Sequence, residues 1–218
     1  MNIGVLALQG DVPEHRRAIR RAAPKDQVTL VRSVADLRAI DVLIMPGGES
    51  TTIADLLRRT GLWEPLRQRL ESGLPTLATC AGLILLAKDL EPSPSGRDPP
   101  TFGILDVTVR RNDYGRQIDS FEGPVTIDGI RGGPFPGVFI RAPRLTRVGT
   151  GLRPIAWSGE RVVGVRVGNM FGLSFHPELS GDPRLLELFL SEAAPDHRIP
   201  RKKSQRSTNP VRASPTTA

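Results

Sequence analysis

Short apolar runs alternate with amphipathic segments from the first residue to about residue 87 of the 218-residue chain. The apolar runs are typical of buried strands, and the amphipathic segments are typical of helices that pack on a sheet. The predicted strands are residues 3–8, 28–31, 41–45 and 75–79. The predicted helices are residues 12–22, the stretch between Thr51 and Gly61, residues 64–72 and residues 81–87. This alternation predicts a parallel sheet covered by helices.

The pattern changes after a proline-rich polar segment at residues 91–100, which is predicted to be a loop. Shorter strands separated by turns follow, and a last amphipathic helix is predicted at residues 183–193. The predicted short strands are residues 105–110, 124–127, 138–140, 147–149, 154–157, 161–167 and 170–175. Residues 1–194 are therefore expected to form one three-layer α/β domain with a mixed, mainly parallel central sheet.

The positive charge of the chain is concentrated near its end. The formal net charge is +7, but six of the 30 basic residues lie after residue 197, where no acidic residue occurs. The rest of the chain has 24 basic and 23 acidic residues and is nearly neutral. Residues 195–218 are rich in Pro, Ser, Thr, Arg and Lys without apolar periodicity, so we predict a disordered basic tail.

Composition also limits the compartment and the kind of site. No apolar run approaches the ~18–20 residues of a membrane-spanning helix, and the first residues lack the features of a signal peptide. We therefore expect a cytoplasmic protein without membrane association. One cysteine excludes an intrachain disulfide and a cysteine-rich zinc site, and three scattered histidines do not suggest a metal cluster.

Cys80 lies where a predicted buried strand turns directly into a predicted helix. A sharp turn of this kind lifts a nucleophile clear of the sheet, and the start of the helix favours a thiolate. The amide of Ala81 is then placed to stabilise an oxyanion. A lone cysteine is more often a buried apolar residue, so Cys80 alone does not establish catalysis.

His176 and Glu178 follow the last predicted strand, with Pro177 between them. A histidine at a strand end can take a proton from a thiol and return it to a leaving amine, and a nearby carboxylate can orient the ring. Taken alone, the three residues also fit the polar start of a helix. Together with Cys80, the order Cys, His, Glu on an α/β frame predicts a catalytic triad.

Two further features adjoin predicted strands. Adjacent glycines, Gly47 and Gly48, follow the third strand, where a backbone amide could be a second oxyanion donor, although most such pairs are ordinary turns. Before the first helix, Asp11 and Glu14 have the spacing of a capping box. His15, in that helix, is expected to be a partly exposed residue without a catalytic role.

At these positions the chain resembles the class I glutamine amidotransferases and, more narrowly, the glutaminase subunits of pyridoxal 5′-phosphate synthase. The matching stretches are residues 4–10 (GVLALQG), 46–52 (PGGESTT), 79–84 (TCAGLI), 111–117 (RNDYGRQ), 138–143 (VFIRAP) and 174–179 (SFHPEL). The block at residues 111–117 is the most specific to this family. Cysteine and His-x-Glu alone would identify only the superfamily.

The resemblance implies a flavodoxin-like fold and a glutaminase with Cys80, His176 and Glu178 as its triad. It also implies substrate-binding and oxyanion residues. The implied substrate-binding residues are Gly48, Glu49, Ser50, Arg111, Ile140 and Arg141, and the implied oxyanion donors are Gly48 and Ala81.

The implied reaction hydrolyses L-glutamine through a cysteine thioester, without a metal or an organic cofactor. Ammonia would pass to a barrel-shaped synthase that makes pyridoxal 5′-phosphate, in a complex expected to contain twelve copies of each subunit.

Three alternatives remain open from the sequence. The chain could serve another synthase, such as that for imidazole glycerol phosphate, although residues 111–117 argue against it. It could be a cysteine peptidase or hydrolase of the same fold, which would need no synthase. A non-enzymatic protein that binds nucleic acid through its tail is the weakest alternative, because the tail lacks interleaved aromatic residues.

Overall fold

Twelve strands and six α-helices lie within residues 1–93, 96–111 and 120–194, the part of the chain that the computed structural model describes. The strands are β1 (Asn2–Leu6), β2 (Gln27–Val31), β3 (Val42–Met45), β4 (Thr76–Thr79), β5 (Ala87–Leu90), β6 (Leu105–Arg110), β7 (Ser120–Ile127), β8 (Phe135–Ile140), β9 (Arg144–Val148), β10 (Arg153–Ser158), β11 (Arg161–Val167) and β12 (Met170–Leu173). The helices are α1 (Val12–Ala22), α2 (Val34–Ala39), α3 (Ser50–Arg59), α4 (Trp63–Glu71), α5 (Ala81–Leu86) and α6 (Arg184–Ala193). A 3₁₀ helix covers Pro177–Leu179.

A nine-stranded mixed sheet forms the centre, with the strand order β2-β1-β3-β4-β12-β11-β10-β7-β8. The pairs from β2 to β12 are parallel. The pairs from β12 to β8 are antiparallel. The parallel part arises because helices connect β1 to β4, as the alternating pattern predicts. The antiparallel part arises because β10, β11 and β12 are joined by short turns.

Both faces of the parallel part are covered by helices. In β3, Val42 and Ile44 belong to an apolar cluster that includes residues of α1 and α6. Leu43 and Met45 point to the other face, where the cluster includes residues of α2, α3, α4 and α5. Successive side chains of a strand alternate between faces, so a strand covered on both sides must be apolar throughout. The predicted three-layer α/β architecture is confirmed.

Some local predictions differ from the structure. Helix α2 was not predicted, nor was a second sheet with the order β5-β6-β9, which packs its apolar residues into the cluster on the α5 side. Strand β12 ends at Leu173 rather than at residue 175. The predicted capping box is absent, because the side chain of Asp11 makes no capping hydrogen bond.

Other predictions match the structure or fall beyond it. Residues 91–93 and 96–100 contain no helix or strand, as predicted for the loop there. The predicted basic tail, residues 195–218, lies outside the described residues, as do residues 112–117 of the family-specific block. In the described part of the chain, no helix combines the length and the apolar character needed to cross a membrane.

The topology brings four connections together at one edge of the sheet. The segments after β1, β3, β4 and β12 all leave from carboxyl ends of neighbouring parallel strands. Ligands of open α/β sheets bind at this kind of edge. Gly10, Gly48, Cys80 and His176 lie in these four segments.

Candidate active site

Cys80 lies in a strained turn between β4 and α5. Its backbone angles, φ 47° and ψ −100°, are rare for a residue with a side chain. The Cys80 amide donates to the carbonyl of Leu173 at 2.8 Å, and its carbonyl accepts from the amide of Ile84 at 3.2 Å. These bonds to β12 and α5 hold the turn in place. The surroundings therefore impose the strain, as is common at functional sites.

A small residue is required two positions after Cys80. A β-carbon at Gly82 would overlap with the carbonyl oxygen of Met45 in β3. Glycine thus lets α5 start close against the sheet, directly after the nucleophile. The sharp strand-to-helix turn that the sequence predicted is confirmed, and the thiol of Cys80 faces the carbonyl of Ile140 at 3.9 Å.

His176 is held between its backbone and Glu178. Its amide donates to the carbonyl of Val138 at 2.8 Å, which fixes the chain after β12. Its ring nitrogen Nδ1 lies 2.8 Å from Oε1 of Glu178 within the buried interior. The 3₁₀ helix at Pro177–Leu179 returns Glu178 beneath the ring. The structure therefore brings His176 and Glu178 together as predicted.

The second ring nitrogen of His176 is available for chemistry with Cys80. Nε2 is buried and has no hydrogen-bond partner among the described residues. Cys80 and His176 line the same cavity. Burial opposes protonation of the ring, but Asp11, Cys80 and Glu178 outweigh it and raise its pKa to about 12. The geometry thus favours an imidazolium next to the thiol.

Two residues near the triad were not predicted to be there. Asp11 Oδ2 lies 3.3 Å from Nδ1 of His176, and this contact lowers the pKa of Asp11. His15 is buried, with Nε2 3.3 Å from Oγ1 of Thr79 and 3.4 Å from Oε1 of Glu178. Burial lowers the pKa of His15, which keeps its ring neutral. The expectation of a partly exposed His15 was wrong, because α1 turns this residue toward the sheet.

The sequence contains one signal for these two contacts. Asp11 and His15 are four positions apart, so they lie on the same side of the start of α1. Both also follow β1, which ends at the edge where Cys80 lies. The three groups Asp11, His176 and Glu178 have ligand atoms within 4.8 Å of one another. We assign this proximity to the contacts that the two carboxylates make with a single nitrogen of the His176 ring.

The glycine pair after β3 lies against the triad. A β-carbon at Gly47 would overlap with the ring of His176, and one at Gly48 would lie 2.6 Å from Oε1 of Gln9. Gln9 also accepts a hydrogen bond from the amide of Glu49 at 2.9 Å. The side chain of Gln9 therefore supports this loop, a role that sequence reasoning missed.

Arg111 is held by two carboxylates at the cavity wall. Its Nη2 lies 3.2 Å from Oε1 of Glu49, and its Nη1 lies 3.3 Å from Oδ1 of Asp98. Nη1 also donates to the carbonyl of Arg97 at 2.9 Å. Only 12% of the Arg111 side chain is exposed. Arg111 is thus a fixed charge, and the loop at residues 96–98 helps to hold it.

A single cavity gathers most of the residues named from the sequence, although Ala81, the first residue of α5, is buried and does not line it. All six predicted substrate-binding residues line it with Cys80 and His176, whereas Glu178 lies buried behind the ring. The lining residues are Asp11, Gly48, Glu49, Ser50, Cys80, Ile84, Arg111, Ile140, Arg141 and His176. Arg141, like Cys80, has a positive φ, of 41°. Charged and polar groups beside a thiol suit a small polar substrate.

Known proteins resemble this chain over most of its length. The pyridoxal 5′-phosphate synthase subunit PdxT of Thermococcus onnurineus is 48% identical over 198 residues, covering 88% of this chain and 99% of that protein. The subunit of the same name from Pyrococcus furiosus is 49% identical over 199 residues, covering 88% and 98%.

Solved structures give the same result. A crystal structure of a glutamine amidotransferase matches with a TM-score of 0.79 and 44% identity, covering 88% of this chain and 98% of that one. PurLQS from Thermotoga maritima, at 17% identity and a TM-score of 0.60, covers 87% and 95% and supports the fold alone. The model of the SNO glutamine amidotransferase family matches residues 5–194. The chain therefore belongs to the SNO glutamine amidotransferase family.

Proposed function

We propose that this chain is the glutaminase subunit of pyridoxal 5′-phosphate synthase, which hydrolyses L-glutamine to L-glutamate and ammonia. The observation that carries the proposal is the placement of Cys80, on its strained turn, in one cavity with His176, whose ring is held by Glu178 at 2.8 Å. Membership of the SNO family and the similarity to PdxT subunits select this activity among cysteine hydrolases.

The reaction proceeds in two halves. The Cys80 thiolate attacks the side-chain carbonyl of glutamine, and the C–N bond breaks as His176 transfers a proton to the departing ammonia. A thioester remains on Cys80. Water then gives a proton to His176 and attacks the thioester, so that glutamate leaves and the thiolate is restored. The carboxylate of Glu178 orients the ring and stabilises its protonated form.

We assign two backbone amides as donors to the oxyanion that forms in each half of the reaction. Ala81 begins α5 directly after the nucleophile, so its amide is the first donor. Gly48 lines the cavity in a backbone conformation, φ +148°, that glycine adopts readily, and we assign its amide as the second donor. Each such donor is worth about 10²–10³-fold in rate in enzymes where one has been removed.

The charged wall of the cavity suits the amino-acid end of glutamine. Its α-carboxylate is complementary to the guanidinium of Arg111, and its α-ammonium is complementary to the carboxylate of Glu49. The remaining proposed substrate contacts are Ser50, Ile140 and Arg141, which line the same cavity. Glutamine recognised in this way presents its amide toward Cys80.

The partner follows from the proposed activity. The relatives are subunits of pyridoxal 5′-phosphate synthase, so we place this chain in a complex with a synthase subunit that accepts ammonia. We further propose that this partner is a barrel and that twelve copies of each subunit assemble. The cytoplasm is the proposed location, because the free thiol of Cys80 must stay reduced. Thiol and imidazole perform the chemistry, and pyridoxal 5′-phosphate is the product of the assembly.

The test is glutamate release from glutamine, measured with and without the synthase subunit. Wild-type chain should release glutamate, more rapidly with the synthase, and Cys80→Ala should release none. Cys80→Ser is the matched variant, since it keeps the shape of the side chain while replacing the nucleophile. Absence of glutamate from a folded wild-type chain under both conditions would overturn the proposal, and hydrolysis of peptides or esters instead would favour the cysteine hydrolase alternative.

A further inference from the structure

Asp11 occupies an unusual position for the residue before a helix. Its amide donates to the carbonyl of Gly47 at 3.2 Å, which ties the start of α1 to the loop after β3. Its side chain makes no capping hydrogen bond to α1. An aspartate here normally accepts from the first free amides of the helix. In this chain the carboxylate turns away from the helix and toward His176.

Two carboxylates therefore contact one nitrogen of the triad histidine. Nδ1 of His176 lies 2.8 Å from Oε1 of Glu178 and 3.3 Å from Oδ2 of Asp11. The two partners differ in environment: the side chain of Glu178 is 1% exposed, whereas that of Asp11 is 36% exposed and lines the cavity. Nδ1 makes its hydrogen bond with Glu178, and the negative charge of Asp11 lies beside the same nitrogen, so both carboxylates favour a proton on Nδ1 and leave Nε2 for the thiol.

We propose that Asp11 is a positioning residue for the reaction, a second carboxylate that orients the ring of His176 and stabilises its protonated form. A triad histidine needs one such partner, and Glu178 fills that role from the interior. Asp11 adds a negative charge from the cavity side, close to where the imidazolium forms. The catalytic meaning of this contact rests on the proposed glutaminase function, but the contact itself does not.

Among the groups near His176, Asp11 is the one whose charge can be removed with the least disturbance of the interior. From α1, His15 is buried and neutral, and it contacts Glu178 rather than His176. Cys80 faces the ring from the start of α5, and Glu178 is too deeply buried to be changed without disturbing the interior. Asp11 can lose its charge at a half-exposed position. Its contact with Nδ1 is among the causes of the raised pKa of the ring.

The test compares Asp11→Asn, which has the same shape without the charge, with Glu14→Gln. Glu14 lies in the first turn of the same helix, pairs with Arg17, and makes no described contact with His176. Asp11→Ser is a second neutral variant, whose side chain also suits the position before a helix. The first measurement is the pKa of His176, followed by NMR of ¹⁵N-labelled histidines and assigned with His176→Gln.

The second measurement is iodoacetamide alkylation across pH, which reports on Cys80 alone because the chain has one cysteine. The third is glutamine hydrolysis with the synthase. In both neutral variants the pKa of His176 should fall by about one unit, since a carboxylate within hydrogen-bonding distance shifts a pKa by roughly 1–3 units and solvent weakens this one. The pH profile of alkylation should change with it, and kcat should fall by up to about tenfold with KM little changed. Glu14→Gln should match wild type in all three.

Each result decides the proposal. An unchanged His176 pKa in folded Asp11→Asn and Asp11→Ser would overturn it. A raised KM with unchanged kcat and unchanged pKa would also overturn it, because Asp11 would then be a substrate contact. If no form hydrolyses glutamine, the proposed function fails, while NMR and alkylation still test the contact between Asp11 and His176 in the same samples.

Discussion

The backbone of Gly47 lies directly against the imidazole of His176. A β-carbon at this position would overlap with Cε1 of the ring. It would also lie 2.9 Å from Nδ1 of His176 and 2.9 Å from Oδ2 of Asp11. The φ angle of Gly47 is not positive, so an alanine there would be acceptable to the backbone itself. The requirement for glycine is therefore imposed by the catalytic ring.

Gly47→Ala should consequently damage activity much more than stability. The added methyl group displaces the ring from Cys80, and a displacement of about 1 Å can cost about 10²-fold in rate. We expect kcat for glutamine hydrolysis to fall by roughly that factor, with a small change in melting temperature. Gly151→Ala is the control, because a β-carbon there meets no atom within 4 Å and its φ is not positive. Equal activities of the two variants would contradict this prediction.

His15 should make the folded state sensitive to acid. Burial lowers its pKa below the ordinary value of 6.5. A histidine whose pKa is lower when folded contributes stability that is complete above pH 6.5 and is lost as the pH falls. Thermal unfolding measured between neutral and acidic pH should show a smaller acid-side decrease for His15→Gln than for wild type.

The pKa of His176 is shifted in the opposite direction to that of His15, so the same unfolding measurement should show the opposite dependence on pH. His176 has the raised pKa, so its contribution is present below pH 6.5 and is lost as the pH rises toward the folded value of about 12. His176→Gln should therefore reduce the loss of stability on the alkaline side and leave the acid-side decrease. If His15→Gln and His176→Gln changed the pH profile in the same way, the assignment of the neutral ring to His15 would be wrong.

Asp98 should matter for substrate binding through Arg111. It accepts from Nη1 of Arg111, while Nη2 of the same guanidinium faces Glu49 in the cavity wall. Loss of the charge in Asp98→Asn should loosen the guanidinium and raise KM for glutamine by about two- to fivefold, the range expected for a partly exposed ion pair. The value of kcat should change little, because Asp98 contacts no residue of the triad.

Asp128→Asn is the matched control for that measurement. Asp128 forms an ion pair with Arg153 at 2.8 Å on the surface, and neither residue lines the cavity. Steady-state kinetics of both variants should separate the two sites. A KM for Asp98→Asn equal to that of the control would show that the loop does not act through Arg111.

The site was predictable from sequence where a residue is tied to a local pattern. Cys80 and His176 follow strands, and chain direction alone sends the ends of neighbouring parallel strands to one edge. Asp11 was assigned to a cap because capping depends on local sequence, whereas its actual partner is 165 positions away along the chain. His15 was misjudged for a related reason. Nothing in a helix sequence shows that a polar side chain will meet a buried carboxylate.

The same distinction holds for the fold, in which elements with a clear local pattern were predicted and elements without one were missed. Strands β1 to β4 were predicted from short runs rich in apolar residues, and β3, buried along its whole length, shows the pattern of a strand covered on both faces. Helix α2 has six residues, of which only Leu37 is buried, so it lacks both a periodic signal and the continuous apolar run of α5. Strand β5 has only four residues and follows α5 without a break. Its apolar start therefore reads as a continuation of the helix, and the second sheet was missed.

The strain at Cys80 leads to a last prediction, tested by two variants that both remove the thiol. Cys80→Gly should be more stable than Cys80→Ala, because only glycine removes the β-carbon from a backbone with φ 47°. Such strain costs about 1–3 kcal/mol, and glycine loses about 0.5–1 kcal/mol through greater freedom when unfolded. A net gain of about 1 kcal/mol corresponds to roughly 2–4 °C in melting temperature. Neither variant should release glutamate. Equal melting temperatures would mean that the turn relaxes once sulfur is absent, and that the nucleophile itself maintains the strained conformation.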